Sequence, residues 1–310
     1  MCKKVDIVIL SGFLGSGKST LLANLIKYEQ KQGRKIGVIM NEMGEVNIDR
    51  ELIPSDTPLR ELLNGCVCCN LRGELSLQIK ELLNIHELDV IYIESTGAAH
   101  LIETVDACTH PTLANYITMK GIITVVNAKQ WLHGKMSIKL KKLMKEQVKF
   151  ADVIVINKMD TVEANMLDSL VASIKEINGE GAIFPAVHAN INPAIFFSNN
   201  CPIKSQTYDD TKEEHAHLHL NTFTFRFEHP INRIRLENWL TKLPGQLYRA
   251  KGFVEIDESP GTYLLNYSYG SIMLEYCRKN LDYPTLLVVI GENLDYEHMI
   301  TTITEVQTKL

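Results

Sequence analysis

The stretch VDIVILSGFLGSGKST, residues 5–20, decides how the first part of this chain folds. Its apolar first half has the composition of a buried strand, and its second half fits the pattern G-x-x-x-x-G-K-[ST]. A strand, a glycine-rich loop and a helix in this order cradle phosphate, because the glycines let backbone N–H groups wrap the β-phosphate and the helix N-terminus adds positive potential. The predicted nucleotide contacts in this loop are Gly12, Gly15, Ser16, Gly17, Lys18, Ser19 and Thr20.

Two side chains of the loop and one downstream acid carry the predicted phosphate chemistry. Lys18 is expected to reach the β- and γ-phosphates, and the hydroxyl of Ser19 is expected to bind Mg²⁺. Glu94 ends the apolar run DVIYIE, where such proteins place an acid that holds Mg²⁺. Lys18 and Glu94 are therefore predicted catalytic residues, and Gly97 would let the backbone follow the γ-phosphate.

A second motif predicts which base is bound. The run VIVINKMD places Asn157, Lys158 and Asp160 at the end of an apolar strand. A carboxylate there can accept two hydrogen bonds from the N1–H and N2–H₂ edge of guanine, whereas adenine offers no matching pair of donors. A plain surface loop is the alternative, but the position downstream of a phosphate loop favours guanine recognition.

The order of apolar and amphipathic segments predicts the fold class. Short Val- and Ile-rich runs alternate with helical patterns, which is typical of an α/β doubly wound, mostly parallel sheet of the P-loop NTPase type. The predicted strands are 5–10, 36–40, 89–93, 121–127 and 152–157, and the predicted helices are 18–32, 72–84, 138–149 and 163–177. The expected domains are 1–200, a polar linker at 201–220, and a smaller α+β domain at 221–310.

The composition limits the compartment and the partners. The 310 residues carry a formal net charge of -5, and charged residues make up 22%. With no basic excess, nucleic acid and anionic membranes are not favoured as partners. We find no apolar stretch long enough to span a membrane. The seven cysteines are unevenly spaced, which disfavours a secreted disulfide framework and favours a reducing cytoplasm.

Taken in order, the segments GFLGSGKST, NEMGEVNID, CVCC, IESTG and NKMD resemble those of the CobW-like GTPases, also described as zinc-regulated GTPase metalloprotein activators. The segment LPGQLYRAKGFVEI, residues 243–256, looks like the second domain of that family. The resemblance implies a cytoplasmic GTPase that carries or inserts a metal, mostly zinc, with cobalt and iron relatives. The family's metal motif maps onto Cys66, Cys68 and Cys69, and its switch-region acid, a candidate for catalysis and for zinc binding, maps onto Glu42.

The three clustered cysteines allow several readings on chemical grounds. A disulfide between Cys68 and Cys69 would be strained. The potential at the start of the predicted helix 72–84 would lower the thiol pKa values, which suits redox chemistry as well as metal binding. Thiolates are soft ligands that suit Zn²⁺, and three of them leave a fourth position for water, Glu42 or a partner's ligand. A metal site is favoured, and a redox centre or inert packing stays open.

A short histidine segment is a second, weaker candidate for metal binding. Relatives often carry a long histidine-rich run, whereas this chain has only HAHLH, residues 215–219. In an extended conformation His215, His217 and His219 would share one face, as an accessory site requires. A solvated linker that ends in a strand is the equal alternative.

Together these observations predict a GTP-binding and GTP-hydrolysing metallochaperone that uses GTP, Mg²⁺ and zinc. GTP is expected to order residues 41–50, and slow hydrolysis, modulated by metal or partner, would control delivery of zinc to a client metalloprotein. A homo-oligomer is a further possibility. The alternatives are a P-loop kinase with structural zinc, a nucleotide-gated thiol protein and a regulatory adaptor.

Overall fold

The computed structural model describes residues 3–40, 57–61, 71–95, 101–197, 220–268, 270–277 and 284–307. The chain forms two compact units. One unit comprises residues 1–108 and 116–219, and the other comprises residues 109–115 and 220–310. The chain therefore leaves the first unit for seven residues in its middle and then returns to it, a path that the sequence did not indicate.

The first unit is built on a seven-stranded parallel sheet. Its strands are β1 (Val5–Ser11), β2 (Ile36–Met40), β3 (Leu59–Glu61), β4 (Val90–Glu94), β5 (Ile117–Asn127), β6 (Val153–Asn157) and β7 (Ala182–Pro185). The spatial order is β3-β2-β4-β1-β5-β6-β7. Because β4 and β5 flank β1 on opposite sides, the winding reverses at β1, and ligands bind at the carboxyl ends of the strands at such a point.

Helices connect these strands and complete the core of the first unit. They are α1 (Lys18–Lys31), α2 (Leu71–Ile85), α3 (Leu101–Cys108), α4 (Ala128–His133), α5 (Ile138–Lys149), α6 (Leu167–Lys175) and α7 (Ala194–Phe197). Apolar residues of α1 pack on β1, β2 and β4, and residues of α6 pack on β5 and β6. The predicted α/β P-loop fold is confirmed. The predicted helix 163–177 is shorter, since Ala164–Met166 forms a 3-10 turn before α6.

The second unit is a five-stranded antiparallel sheet with two helices on one face, so the prediction of a smaller α+β unit is confirmed. Its elements are β8 (Asn221–Arg226), α8 (Arg233–Lys242), β9 (Gln246–Ile256), β10 (Ser259–Ser268), β11 (Ser271–Tyr276), β12 (Leu286–Glu292) and α9 (Tyr296–Ile303). Trp239 of α8 lies edge-on to Phe225 and donates its Nε1–H to Oγ1 of Thr302, at 2.8 Å. An aromatic core thus joins both helices to the sheet.

The seven residues in the middle of the chain pack on this second sheet. A 3-10 turn, Pro111–Leu113, contacts β9 and β12, and Leu113 is fully buried. The guanidinium of Arg226, at the end of β8, donates a hydrogen bond to Oδ1 of Asn115. Residues 109–115 are therefore part of the second unit, although α3 before them and β5 after them belong to the first.

A network of charged groups closes the amino end of the parallel sheet. Glu29, near the end of α1, is almost fully buried and accepts hydrogen bonds from Arg34 at 3.1 and 3.2 Å and from the hydroxyl of Tyr92 at 2.8 Å. Arg34 also pairs with Asp6 at 2.7 Å. Burial and the neighbouring Glu29 raise the pKa of Tyr92 well above its usual value, so its hydroxyl stays a donor. Although burial lowers the pKa of Arg34, Glu29 and Asp6 raise it by more.

In the part of the chain that the structure describes, no helix has both the length and the apolar character that crossing a membrane requires.

Candidate nucleotide site

The phosphate loop has a backbone that only glycine adopts easily. Gly12, Gly15 and Gly17 have φ angles of 138°, 69° and 108°. A Cβ atom at Gly12 would lie 2.3 Å from the carbonyl oxygen of Val125, and one at Gly17 would lie 2.3 Å from Nδ2 of Asn157. Gly12 is therefore required by a close backbone approach as well as by its conformation, and Gly17 by its conformation and by the Asn157 side chain packed against it.

The lysine and the serine that end the motif are already placed by the loop and by helix α1. Lys18 is buried and its Nζ donates to the carbonyl oxygen of Gly12 at 3.0 Å. Ser19 Oγ donates to Oε1 of Glu94 at 3.3 Å, although the two residues are 75 positions apart in sequence. Thr20 is exposed. The predicted phosphate-binding and Mg²⁺-binding groups thus meet at one place.

Strand pairing explains why Glu94 reaches the loop. Strand β4 runs parallel to β1 with Glu94 opposite Leu10, and the backbone N–H of Ser95 donates to the carbonyl oxygen of Leu10 at 2.9 Å. The end of β4 is thereby held beside the start of the loop. A buried carboxylate next to a hydroxyl supplies hard oxygen ligands, which Mg²⁺ prefers, so these residues fit that ion.

Asn157 ties the end of β6 to the phosphate loop and to the turn after β7. Its Nδ2 donates to the carbonyl oxygen of Ser16 at 2.9 Å, and its Oδ1 accepts from the N–H of Ala189 at 2.8 Å. Lys158 has a φ angle of 62°, which turns the chain sharply after β6. Asp160 lies on the following 3-10 turn and is exposed, so its carboxylate is accessible to a ligand.

The turn after β7 lies beside the end of β6, next to the phosphate loop, and the sequence did not predict this. Its His188 and Ala189 have φ angles of 53° and 50°, and the carbonyl oxygen of Ala189 accepts from Nδ2 of Asn24 at 3.0 Å. The N–H of Met159 donates to the carbonyl oxygen of Ala186 at 3.1 Å. The turn contains no glycine, so its left-handed backbone gave no signal in the sequence.

Gln130 is a second residue that sequence reasoning missed. Helix α4 begins where β5 ends, because the Asn127 side chain accepts from the N–H of Gln130 and caps the helix. The Nε2 group of Gln130 then donates to the carbonyl oxygen of Leu14 at 3.2 Å. This contact supports the phosphate loop from the β5 side. The one sequence signal for this contact is the asparagine three residues before Gln130, at the end of a predicted strand, where it can cap a helix.

Several predicted site residues lie outside the described residues. They are Glu42, Cys66, Cys68, Cys69, Gly97, His215, His217 and His219, and the expected linker lies there too, apart from Leu220. Among the residues that the structure describes, no group of three or more His, Cys, Asp or Glu is arranged to hold a metal ion. Cys108 and Cys277 are free thiols. Burial holds the pKa of Cys108 far above its usual value, so that thiol is not a ready metal ligand.

Comparison with known families agrees with this geometry. Residues 6–185 match the family described as CobW/HypB/UreG, nucleotide-binding domain, and residues 220–306 match the Cobalamin synthesis protein cobW C-terminal domain. The chain belongs to the CobW/HypB/UreG family. The resemblance seen in the sequence is confirmed, and so is the prediction of a GTPase.

Individual relatives of this CobW-family chain carry names that bear on its function. Zinc chaperone YjiA of Escherichia coli K12 is 29% identical over 280 residues, which cover 84% of this chain and 85% of YjiA. Zinc-regulated GTPase metalloprotein activator 1 of Dictyostelium discoideum is 27% identical over 307 residues, which cover 83% of this chain and 64% of that protein. A crystal structure of Zn(II)-bound YjiA GTPase matches 99% of this chain and all of that chain, with a TM-score of 0.50 and 22% identity, and supports the fold alone.

Proposed function

We propose that this protein is a GTP-hydrolysing metallochaperone that binds zinc at Cys66, Cys68 and Cys69 and delivers it to a client metalloprotein. The observation that supports the GTPase half most directly is the meeting of Lys18, Ser19 and Glu94 at one end of the sheet. For the zinc half, the support is the chemistry of three clustered thiols together with relatives that are named zinc chaperones.

The described residues suggest how the nucleotide is held. The backbone of the loop binds the β-phosphate, and Lys18 exchanges its bond with Gly12 for contacts to the β- and γ-phosphates. Asn157 keeps the loop in register with the base side, where Asp160 accepts from guanine. Ser19 and Glu94 would hold Mg²⁺, which neutralises phosphate charge when bound.

Residues 41–50 are the proposed link between nucleotide and zinc. They carry Glu42, which would hold zinc in one nucleotide state and release it in the other, leaving the fourth position to a client ligand. Thermodynamic linkage makes the effect reciprocal: if GTP weakens zinc binding by some factor, zinc weakens GTP binding by the same factor. His215, His217 and His219 would add an accessory site.

The test is a zinc titration of the reduced, full-length protein against a competing chelator, in GDP and in a non-hydrolysable GTP analogue. Serine variants of Cys66, Cys68 and Cys69 should lose tight binding, whereas the matched control Cys277→Ser should keep it. A nucleotide-dependent shift, matched by an equal shift in GTP affinity with and without zinc, would support the carrier.

The same titration has outcomes that count against the proposal. Tight binding that ignores the nucleotide would make zinc structural and favour a kinase or an adaptor. A kinase would then transfer phosphate to an acceptor instead of releasing it to water. The absence of tight binding in both states would overturn the zinc proposal, and thiol counting under mild oxidant would then test a redox role.

A further inference from the structure

Helix α5 carries an unusual concentration of positive charge. Its sequence, IKLKKLMKEQVK, contains five lysines and one glutamate, in a chain whose net charge is -5. Leu143, Met144, Gln147 and Val148 are buried. The opposite side, which we call the lysine face, consists of Ile138, Lys142, Lys145 and Lys149, with Lys139 and Lys141 at its borders. Ile138 is 89% exposed.

Most of the charge spacings on this helix are unfavourable, although Glu146 lies four residues after Lys142 and three before Lys149. Lys141 and Lys145 are four residues apart, and Lys142 and Lys145 are three apart, spacings at which like charges repel. The first turn has no acidic residue to offset Lys139, so the helix dipole adds to the cost. Within the described part of the chain, no carboxylate lies within 4.0 Å of the ammonium groups of Lys139, Lys141, Lys142 or Lys145. Carboxylates of a partner could therefore neutralise these four lysines.

The chemistry of the face distinguishes between classes of partner. Inserting α5 in a membrane would need its apolar side, but Leu143, Met144 and Val148 are already buried in the protein. Nucleic-acid surfaces typically add arginine for phosphate and base edges and aromatic rings for stacking. Helix α5, which the structure describes throughout, contains neither residue type. Lysine ammonium groups on flexible stems instead suit carboxylates, and an exposed isoleucine suits an apolar side chain.

We propose that the lysine face is a docking surface for an acidic segment of the client metalloprotein, with one apolar residue that contacts Ile138. In naming the client, the proposal rests on the proposed function. The face spans eleven residue steps, about 16 Å along the helix axis. Carboxylates spaced three and four residues apart on a partner helix would meet Lys142, Lys145 and Lys149 in turn.

The topology places this surface near the nucleotide. Strands β5 and β6 are parallel, so the chain between them must return from the carboxyl end of β5 to the amino end of β6. Helix α4 begins at the carboxyl end, where Gln130 contacts the phosphate loop, and α5 follows it. The Ile138 end of the lysine face therefore lies towards the edge of the sheet that carries the nucleotide site, and a docked client would lie beside it.

The experiment uses the full-length protein and a fluorescein-labelled peptide of fifteen residues, with glutamates three and four positions apart and one terminal leucine. Its binding is followed by fluorescence anisotropy at two salt concentrations. Lys142→Glu/Lys145→Glu should weaken binding at least tenfold and reduce its salt dependence. The charge-matched control Lys175→Glu/Lys242→Glu changes exposed lysines at the ends of α6 and α8, and it should change binding less than twofold. Ile138→Ser should weaken binding without changing its salt dependence.

Two results would overturn the docking surface. One is equal binding of the peptide by the wild type and by the α5 double variant. The other is tighter binding of a single-stranded oligonucleotide of equal charge, or of phosphatidylserine vesicles, than of the peptide. Thermal unfolding provides the folding control. The double variant makes the 141/145 pair attractive but keeps like charges at 142 and 145 and places an acid four residues before Glu146, so the midpoint should change little.

The two proposals fail separately in these experiments. If the wild type binds no zinc but binds the peptide through α5, the proposed function is overturned while the acidic docking surface stands. If zinc binding responds to nucleotide but peptide binding ignores the α5 substitutions, the docking surface alone is overturned.

Discussion

The two ends of helix α1 perform opposite tasks with similar residue types. At its start Ser19 contacts Glu94, and at its end Glu29 contacts Arg34 and Tyr92. Tyr92 and Glu94 are two residues apart on strand β4, yet the tyrosine closes an internal network and the glutamate faces the phosphate loop. One difference lies in the backbone nearby, because three glycines with positive φ precede the start of α1, whereas one, Gly33, follows its end.

The two ends of α1 therefore differ in whether their charged groups stabilise the fold or remain able to bind a ligand. Around Glu29 each charge has a partner from the same chain, so the network gains little from any ligand. Around Lys18 the ammonium group is held by a backbone carbonyl, a partner that phosphate can replace with stronger, charge-assisted contacts. Substitutions at the two ends should therefore change different measurable quantities.

The largest effect is expected at the binding end. Lys18→Met should weaken GTP binding about 10³-fold, or about 4 kcal/mol, because the phosphates lose a buried cationic partner. Thermal unfolding without nucleotide should change little. Titration with a fluorescent GTP analogue measures the affinity, and Lys27→Met, at an exposed lysine of the same helix, is the control. An equal loss in both variants would contradict a specific role for Lys18.

At the other end the expected loss is in stability. Arg34→Met leaves the buried Glu29 without its cation and should lower the free energy of unfolding by about 3 kcal/mol. Urea unfolding measures this loss. Arg233→Met, which breaks an exposed pair with Glu237, should leave the free energy of unfolding almost unchanged. GTP affinity should stay within twofold for both variants, and a parallel fall in affinity would show that the two ends are coupled.

A smaller effect should separate base recognition from phosphate binding. Asp160→Ala should lower the preference for GTP over ITP, which lacks the exocyclic amino group, by about tenfold (about 1.4 kcal/mol). Competition between the two nucleotides measures the ratio. Asp168→Ala removes another exposed carboxylate, at the start of α6, and should preserve the preference. If the ratio is unchanged by Asp160→Ala, another residue reads that edge of guanine.

The smallest effect depends on pH. Asp89 accepts from Nζ of Lys3 at 2.6 Å and from the N–H of Lys35 at 2.8 Å, and these bonds lower its pKa below the usual value. The stabilisation is therefore present above the unfolded-state pKa and is lost as the pH falls through the folded-state pKa. Asp89→Asn should cost under about 1 kcal/mol at pH 7 and less at pH 2.5. A constant difference between wild type and variant at both pH values would contradict this account.

The sequence predicted the parts of the fold that are encoded locally. The apolar strands around β1 and the phosphate loop depend on neighbouring residues, and the match of Gly12 and Gly17 to a motif reflects contacts that forbid a Cβ. The motifs predict that both Ser19 and Glu94 bind Mg²⁺, which requires the two residues to lie close together, as they do. The metal ligands stay predictions, since Cys66, Cys68 and Cys69 lie outside the described residues.

Other parts depend on distant contacts and could not be predicted. Helix α3 has only eight residues, and seven of them are buried, so packing against the rest of the unit holds it in place. Strand β3 has only three residues, and its place beside β2 is fixed by pairing. The turn at His188 and Ala189 has a strained backbone that Asn157 and Asn24 hold in place, and nothing in its own residues indicates this.

The seven-residue excursion of the chain into the second unit has a consequence for modularity. A gene fragment that stops at residue 219 still encodes Pro111 and Leu113, but not the strands on which they pack. A fragment that starts at residue 220 contains these strands but lacks the turn, residues 109–115, that packs on them. Fusions, domain swaps and truncations that separate the chain at residue 219/220 will therefore remove residues that pack in the core of the second unit. Engineering should keep the two units together in one chain.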